Sequence, residues 1–327
     1  MKTYSMRLAI VLVVICMGVA PAWLFSAQLD NARIGVFTPG LTLTPVGNGM
    51  AEGLVRLGYV EGKNITITVE DTKGISSDLV ARTAKVLSAK PEVLFAVSTI
   101  HAQAAKRATS TVPIVFAWVG DPVQAELIDR YPYSKSNLTG VTAIGDSLSG
   151  KRLEVLLEIA PNVKRIMVLV AAKESVSVSS FRSLEPAAQK FGVQLVRRDV
   201  TDKDDIVKAL DETPRGSMDA IFHVPSTLIR TNFDLLVQRA RKDKIPLAVH
   251  EEALLDRGAL VSYGPNSRLV GVQAAAFVDK ILKGTRPGEI MIETPDRFFL
   301  AINQMTAKQI GMKIPPEILG RADRLVQ

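Results

Sequence analysis

Short apolar, β-branched runs alternate with amphipathic helical segments from Arg33 onward, and the alternation runs through twice. In the first pass residues 33–37, 64–70, 92–97 and 114–118 read as strands, with helices expected over 49–57, 77–87 and the Ala-rich 101–108. The strands at 92–97 and 114–118 are apolar throughout, whereas 64–70 alternates strictly, with Ile65, Ile67 and Val69 on one face. Apolar strands separated by helices indicate a parallel sheet covered on both faces. The second pass opens with a helix over 149–160, where Leu153, Leu156, Leu157 and Ala160 share a face. Strands at 165–170, 193–198, 220–224 and 246–249 follow, with helices at 178–191, 204–210 and 228–241 between them. Two such passes predict an α/β protein of two doubly wound parallel-sheet lobes.

No low-complexity linker separates the passes, so short crossing strands are expected to join the lobes, at 137–142, 260–263 and 290–294. The helix expected over 268–282 then rejoins the first lobe. That divides the chain into 30–142 plus 264–289, the N-terminal lobe, and 143–263 plus 290–327, the C-terminal lobe. Ligands of parallel sheets bind beyond the carboxyl ends of the strands. Two facing lobes would set those ends on either side of one cleft, able to close by hinge motion.

The first 22 residues read as a secretory signal peptide. Lys2 and Arg7 precede the apolar run 8–19, which is short for a membrane span, and Ala20-Pro21-Ala22 offers the small residues of a cleavage site. A cut after Ala27, an uncleaved anchor, or a lipoprotein signal at Cys16 are the competing readings; Ile15 is bulky where the last wants a small residue. Cys16 is the chain's single cysteine, so cleavage leaves no disulfide and no thiol chemistry. About 300 remaining residues exceed one comfortable core, in keeping with two domains. The net charge of +7 falls to +5 without Lys2 and Arg7, and the basic residues are interspersed with acidic ones, as in Lys203-Asp204-Asp205. A nucleic-acid partner would want that excess concentrated, so none is expected.

Enzyme signatures are weak. The run 145–150 is one residue too long for a Gly-x-Ser-x-Gly elbow and lacks the strand that should precede it. Residues 58–63 end in Gly-Lys without the Walker spacing. His101, His223 and His250 are dispersed and have no cysteine companions, so no metal site and no cofactor are expected.

Loops at strand ends carry the candidates. Ser98 and Thr99 follow a buried strand and open a helix, where hydroxyls and free backbone N–H groups suit a ligand carboxylate or serve as ordinary caps. Asp121, between Gly120 and Pro122, either pairs with a ligand ammonium or caps a turn. Trp118 either floors the cleft or is core. Thr38 begins a long, hydroxyl-rich loop, 38–44. Lys173 either meets an acidic ligand or sits in solvent. His223 and the run 223–227, with His250-Glu251-Glu252, form the expected rim of the second lobe. Tyr263, on an expected crossing, either packs the hinge or touches ligand.

Several longer phrases occur in order: Gly58-Tyr59-Val60-Glu61-Gly62-Lys63-Asn64, the run 108–116, Gly120-Asp121-Pro122-Val123, Asn137-Leu138-Thr139-Gly140-Val141, Ser149-Gly150-Lys151-Arg152-Leu153-Glu154, and the run 258–266 ending Ser262-Tyr263-Gly264-Pro265-Asn266. Together they resemble the ABC-transporter substrate-binding family of the tryptophan- and tyrosine-uptake type, over roughly 33–323. The resemblance implies a type I periplasmic-binding-protein fold and a non-enzymatic, periplasmic, monomeric binder. It would carry a small polar solute, an amino acid or related carboxylate, to an ABC permease and its ATPase. In that family the position of Ser98 and Thr99 is commonly Gly-Thr or Ser-Thr and lines the pocket. The loop at 38–44 lacks the acidic or histidine-containing wording common in aromatic-amino-acid members, which puts tryptophan or tyrosine as ligand in doubt, and the loop at 171–175 lacks the Asn-Pro that relatives often carry after this strand. Two rivals stand beside this reading. A sensory protein presenting ligand to a membrane receptor would use the same fold, and an α/β enzyme would need a nucleophile and base on facing loops.

Overall fold

The computed structural model describes residues 31–40, 43–143 and 148–327. The expected signal segment lies outside them, as do parts of the 38–44 loop and of the elbow-like run. In chain order the first lobe contains β1 (Ala32–Thr38), α1 (Thr44–Arg56), β2 (Ile65–Asp71), α2 (Leu79–Leu87), β3 (Val93–Val97), α3 (Thr99–Ala108), β4 (Ile114–Val119) and β5 (Leu138–Thr142). These five strands form one parallel sheet in the order β2-β1-β3-β4-β5. The central strands β3 and β4 are buried along their whole length, as continuous apolar runs require. Edge strand β2 shows the alternation differently: Ile65 is buried, Ile67 half-buried and Val69 exposed, the last two bordering a hollow between α1 and β2.

The second lobe follows with α4 (Ser149–Ile159), β6 (Arg165–Ala171), α5 (Ser175–Phe191), β7 (Gln194–Val200), α6 (Lys203–Asp211), β8 (Ala220–Phe222), α7 (Thr227–Thr231), α8 (Phe233–Asp243), β9 (Leu247–Val249) and β10 (Val261–Pro265). The chain then runs through α9 (Ser267–Leu282), β11 (Phe298–Asn303), α10 (Gln304–Ile310), α11 (Pro316–Arg321) and β12 (Arg324–Val326). The second sheet has seven strands, β12-β11-β10-β9-β8-β6-β7, parallel except where β10 meets β11.

The segments expected as crossings lie inside the lobes. Residues 138–142 are strand β5, hydrogen-bonded to β4, so the chain leaves the first sheet only after Thr142. Residues 261–265 are strand β10 of the second sheet, and passage back comes between Pro265 and Ser267, where Asn266 caps α9 by accepting from Leu269 N at 3.1 Å. Ile290 and Ile292 bury in the first lobe's core, and Glu293 O accepts from Thr142 N at 2.9 Å. The 290–294 stretch therefore packs with the first lobe, because its alternating apolar side chains find cover beside β5. The chain next enters a sheet at Phe298, in the second lobe.

The helix expected over 228–241 is broken at Asn232, whose backbone turns to φ −102° and ψ 21°. Its side-chain amide donates to Leu228 O at 3.0 Å, closing the short α7 before α8 begins. Across the first lobe, α9 lies against α1 at unusually close range. A methyl group on Gly49 would strike the Arg268 carbonyl, and one on Gly271 would strike that of Val46. Only hydrogen at those positions lets α9 return to the first lobe in this way.

Candidate functional site

The carboxyl ends of both sheets converge on one cavity of about 520 Å³, counting its open mouth. From the first lobe come Ser98, Thr99 and Ile100 after β3, Trp118 and Gly120 at the end of β4, and Ala143 beyond β5. The second lobe contributes Arg152 on α4, Glu174 and Val176 at the start of α5, and Arg230 on α7. Pro225, Ser226, Thr227, His250 and Pro265 complete the lining on that side.

Of the first-lobe residues that line the cavity, Ser98 and Trp118 hold backbone conformations that L-residues avoid. Ser98 sits at φ 81°, ψ 158°, a region populated almost only by glycine. Its Oγ lies 2.9 Å from His101 Nδ1, and His101 Nε2 lies 3.0 Å from Thr72 Oγ1, so one buried imidazole ties the Ser98 turn to the loop after β2. Burial, and secondarily the charges of Arg230 and Arg82, push the His101 pKa down to about 3, which keeps the ring neutral. Trp118 has φ 59° and is the extra residue of a β-bulge, since Ala117 pairs with Val141 and Val119 with Thr142. The bulge places an indole that is 6% exposed both in the first-lobe core and in the cavity wall. Beside it Gly120 N donates to Thr99 Oγ1 at 3.4 Å.

The second-lobe wall is charged. Arg152 is 2% exposed, and its Nε donates to the Tyr263 carbonyl at 2.8 Å. Arg230 Nη1 meets Glu251 Oε1 at 3.3 Å, and His250 Nε2 reaches the same oxygen at 3.1 Å. The Nε and Nη2 donors of Arg230 are buried and have no hydrogen-bond acceptor among the described residues, and His250 Nδ1 is buried there without a partner too. Glu174 closes the group, its Oε2 accepting from Thr227 N at 2.7 Å and its Oε1 from Leu228 N at 2.9 Å, at the start of α7. Burial pushes the Glu174 carboxyl up against the lowering effect of those donors, of Arg230 and of Ser226. His250 is held below its ordinary range by burial, although Glu251 opposes the shift.

Of the sequence candidates, Ser98, Thr99 and Trp118 line this cavity, and the other five do not. Asp121 is taken up locally: Oδ1 accepts from Val123 N at 2.8 Å and Gln124 N at 3.0 Å, which makes it the turn cap. Thr38 accepts from Gly40 N at 3.1 Å and borders a separate hollow on the first lobe, between α1 and β2. Lys173 is exposed. His223 is buried behind the wall, stacked on His250 at 5.1 Å and edge-on to Phe233 at 5.6 Å. Tyr263 packs its ring toward Phe298 and offers the cavity region only its carbonyl, to Arg152. Arg152, Glu174 and Arg230 were not anticipated. A signal existed for Arg152, which falls on the buried stripe Ser149, Arg152, Leu153 and Leu156 of α4.

Comparison with known proteins gives a consistent picture. Residues 34–326 match the family model for ABC transporter substrate binding proteins. The tyrosine-binding protein of Clostridioides difficile is 28% identical over 289 residues, which is 88% of this chain and 83% of the relative. A conserved domain protein from Vibrio cholerae aligns in structure with a TM-score of 0.85 at 30% identity, covering 90% of this chain and 100% of that one. The ABC domain from Streptococcus pneumoniae in complex with L-Trp also gives 0.85, at 23% identity, over 91% of this chain and 100% of its own. The two-lobe architecture is the type I periplasmic-binding-protein fold.

Proposed function

The chain belongs to the ABC transporter substrate-binding protein family, a family of solute binders and not of enzymes, and from that premise we propose the role that its cavity performs. The protein is the extracytoplasmic, periplasmic solute-binding component of an importer. It takes one small polar solute, an amino acid or related carboxylate, between its lobes and delivers it, as a monomer, to a membrane permease driven by an ATPase.

The observation that carries this reading is Arg230. Its Nε and Nη2 are buried at the wall of a cavity lined from both lobes, with no acceptor among the described residues. Leaving such donors unmet costs about 1–3 kcal/mol each, and a ligand oxygen would remove that cost. Ser98 and Thr99 face the same space from the other lobe at the first turn of α3, where backbone N–H groups are free of helical partners. A solute held by both walls favours the closed arrangement through contacts it makes only there. The tyrosine-binding relative and the L-Trp complex support an amino acid or a near analogue as the solute class.

A thermal-shift screen over amino acids, organic acids, purines and sugars tests the reading. A solute at a hundredfold excess over its Kd stabilises the folded chain by about 2.7 kcal/mol. No shift from any compound in the screen would remove the support for solute binding.

A further inference from the structure

Resting on the solute-binding reading, we propose that the cavity selects an organic acid carrying a single carboxylate and no ammonium group, its carboxylate seated on Arg230 and its body on apolar wall. The two unmet donors of Arg230, Nε and Nη2, belong to the same edge of the guanidinium. That edge is spaced to meet both oxygens of one carboxylate with parallel hydrogen bonds, a match a single-point cation cannot make. The third nitrogen, Nη1, is already committed to Glu251, so the fork is oriented before any ligand arrives. Ile100, Trp118, Val176, Pro225 and Pro265 give the rest of the solute an apolar bed.

The argument against an ammonium is equally local. Among the described lining residues Glu174 is the one carboxylate. Both of its oxygens already accept backbone N–H bonds at the start of α7. Besides the hydroxyls of Ser98, Thr99, Ser226 and Thr227, the wall offers His250 Nδ1 as an acceptor: because Nε2 faces the Glu251 carboxylate, Nε2 carries the proton and Nδ1 keeps a bare lone pair. A positive charge is disfavoured there, since burial, with the guanidiniums of Arg152 and Arg230, outweighs the opposing pull of Glu251 on that ring. A neutral donor, such as a hydroxyl on the acid, answers Nδ1 without meeting that field.

The test uses the wild-type chain and three matched sets of probes: 3-phenylpropanoate, 3-phenyllactate and phenylalanine; 4-methylpentanoate, 2-hydroxy-4-methylpentanoate and leucine; and indole-3-propanoate, indole-3-lactate and tryptophan. Calorimetry and thermal shift are expected to give, in at least one set, an acid or hydroxy acid binding at least tenfold more tightly than the amino acid of the same skeleton. Arg230→Lys, which keeps the charge beside Glu251 and loses the fork, should weaken the best acid at least tenfold. If Arg230→Lys does not fold, the wild-type ladder decides the question by itself. Amino acids binding as tightly as their deaminated partners would overturn the acid preference and leave solute binding standing. Undiminished affinity in folded Arg230→Lys would likewise overturn the assignment of the carboxylate to that side chain. Silence from all nine probes, together with no shift in the broader screen, would bring down solute binding itself.

Discussion

Arg230 and Glu251 form an ion pair inside the second lobe, Nη1 to Oε1 at 3.3 Å, with 4% and 3% of their side chains exposed. Taking both charges out of water is costly, so a pair of this kind adds little net stability over an apolar replacement. Here it turns one edge of a guanidinium toward the space between two lobes.

Breaking the pair from the carboxylate side should be expensive. Glu251→Gln leaves Arg230 buried beside a neutral amide and takes the ionic partner from His250 Nε2, which shares the same oxygen at 3.1 Å. Removing one member of a buried pair costs about 3–5 kcal/mol. Urea unfolding should show that loss, with an unchanged slope against denaturant. A loss below about 1 kcal/mol, the scale of an exposed pair, would mean the buried charges are compensated by other groups.

Three buried histidines make stability fall with acid. His101 titrates near 3 in the folded chain against an ordinary value of 6.5, and His223 and His250 are also lowered, each mainly by burial. The unfolded chain takes up protons below pH 6.5 that the folded chain refuses, so stability is full above that value and declines as pH falls toward 3. Each such histidine contributes a slope of about 1.4 kcal/mol per pH unit inside the window. Denaturant midpoints measured from pH 7 to pH 4.5 should fall steadily. His101→Gln, which keeps a hydrogen-bonding side chain without the titration, should flatten the curve. An equal slope in that variant would assign the acid sensitivity elsewhere.

Much of the scaffold is legible in the sequence because burial imposes its pattern locally. The continuous apolar runs that become β3 and β4, and the helical stripe of α4, depend only on which neighbours share a face. Ser98 and Thr99 can likewise be found from their place after a buried strand. Arg230 cannot. In a helix expected to run unbroken to residue 241 it looks like one more solvated cation, and only the turn at Asn232 and the approach of Glu251 reveal its burial. Asp121 misleads for the opposite reason: a carboxylate at a strand end looks available until the backbone N–H groups of Val123 and Gln124 are seen to occupy it. Residues 137–142 and 260–263 read as connectors because nothing local distinguishes the last strand of one sheet from a passage to the next.

The strain at Ser98 has a measurable sign. Its backbone lies where a Cβ is disfavoured, at a cost of about 1–3 kcal/mol. Ser98→Ala and Ser98→Gly both lose the contact with His101, so the difference between them isolates the backbone. Glycine in an ordinary element is less stable than alanine by about 0.5–1 kcal/mol. At this position the order should reverse, with Ser98→Gly the more stable variant in urea unfolding. The ordinary order, alanine above glycine, would show that the turn relaxes and stores nothing.

Closure is the last expected behaviour, and it follows from which groups are unmet. Two Arg230 donors have no acceptor among the described residues in this arrangement, so without ligand the lobes gain by opening and letting water reach that edge. With a solute bridging Arg230 and the Ser98 turn, the closed form gains contacts the open form lacks, and only that difference can move the balance. Small-angle scattering of the ligand-free chain should therefore give a radius of gyration above the value calculated for this structure. Saturation with the tightest-binding probe should bring it down to that value. Arg230→Lys should reach the same compact end state at higher ligand concentration, because it weakens the contact without altering the hinge. Scattering that stays constant through saturation with a solute that raises the melting temperature would leave binding intact and exclude a closing cleft.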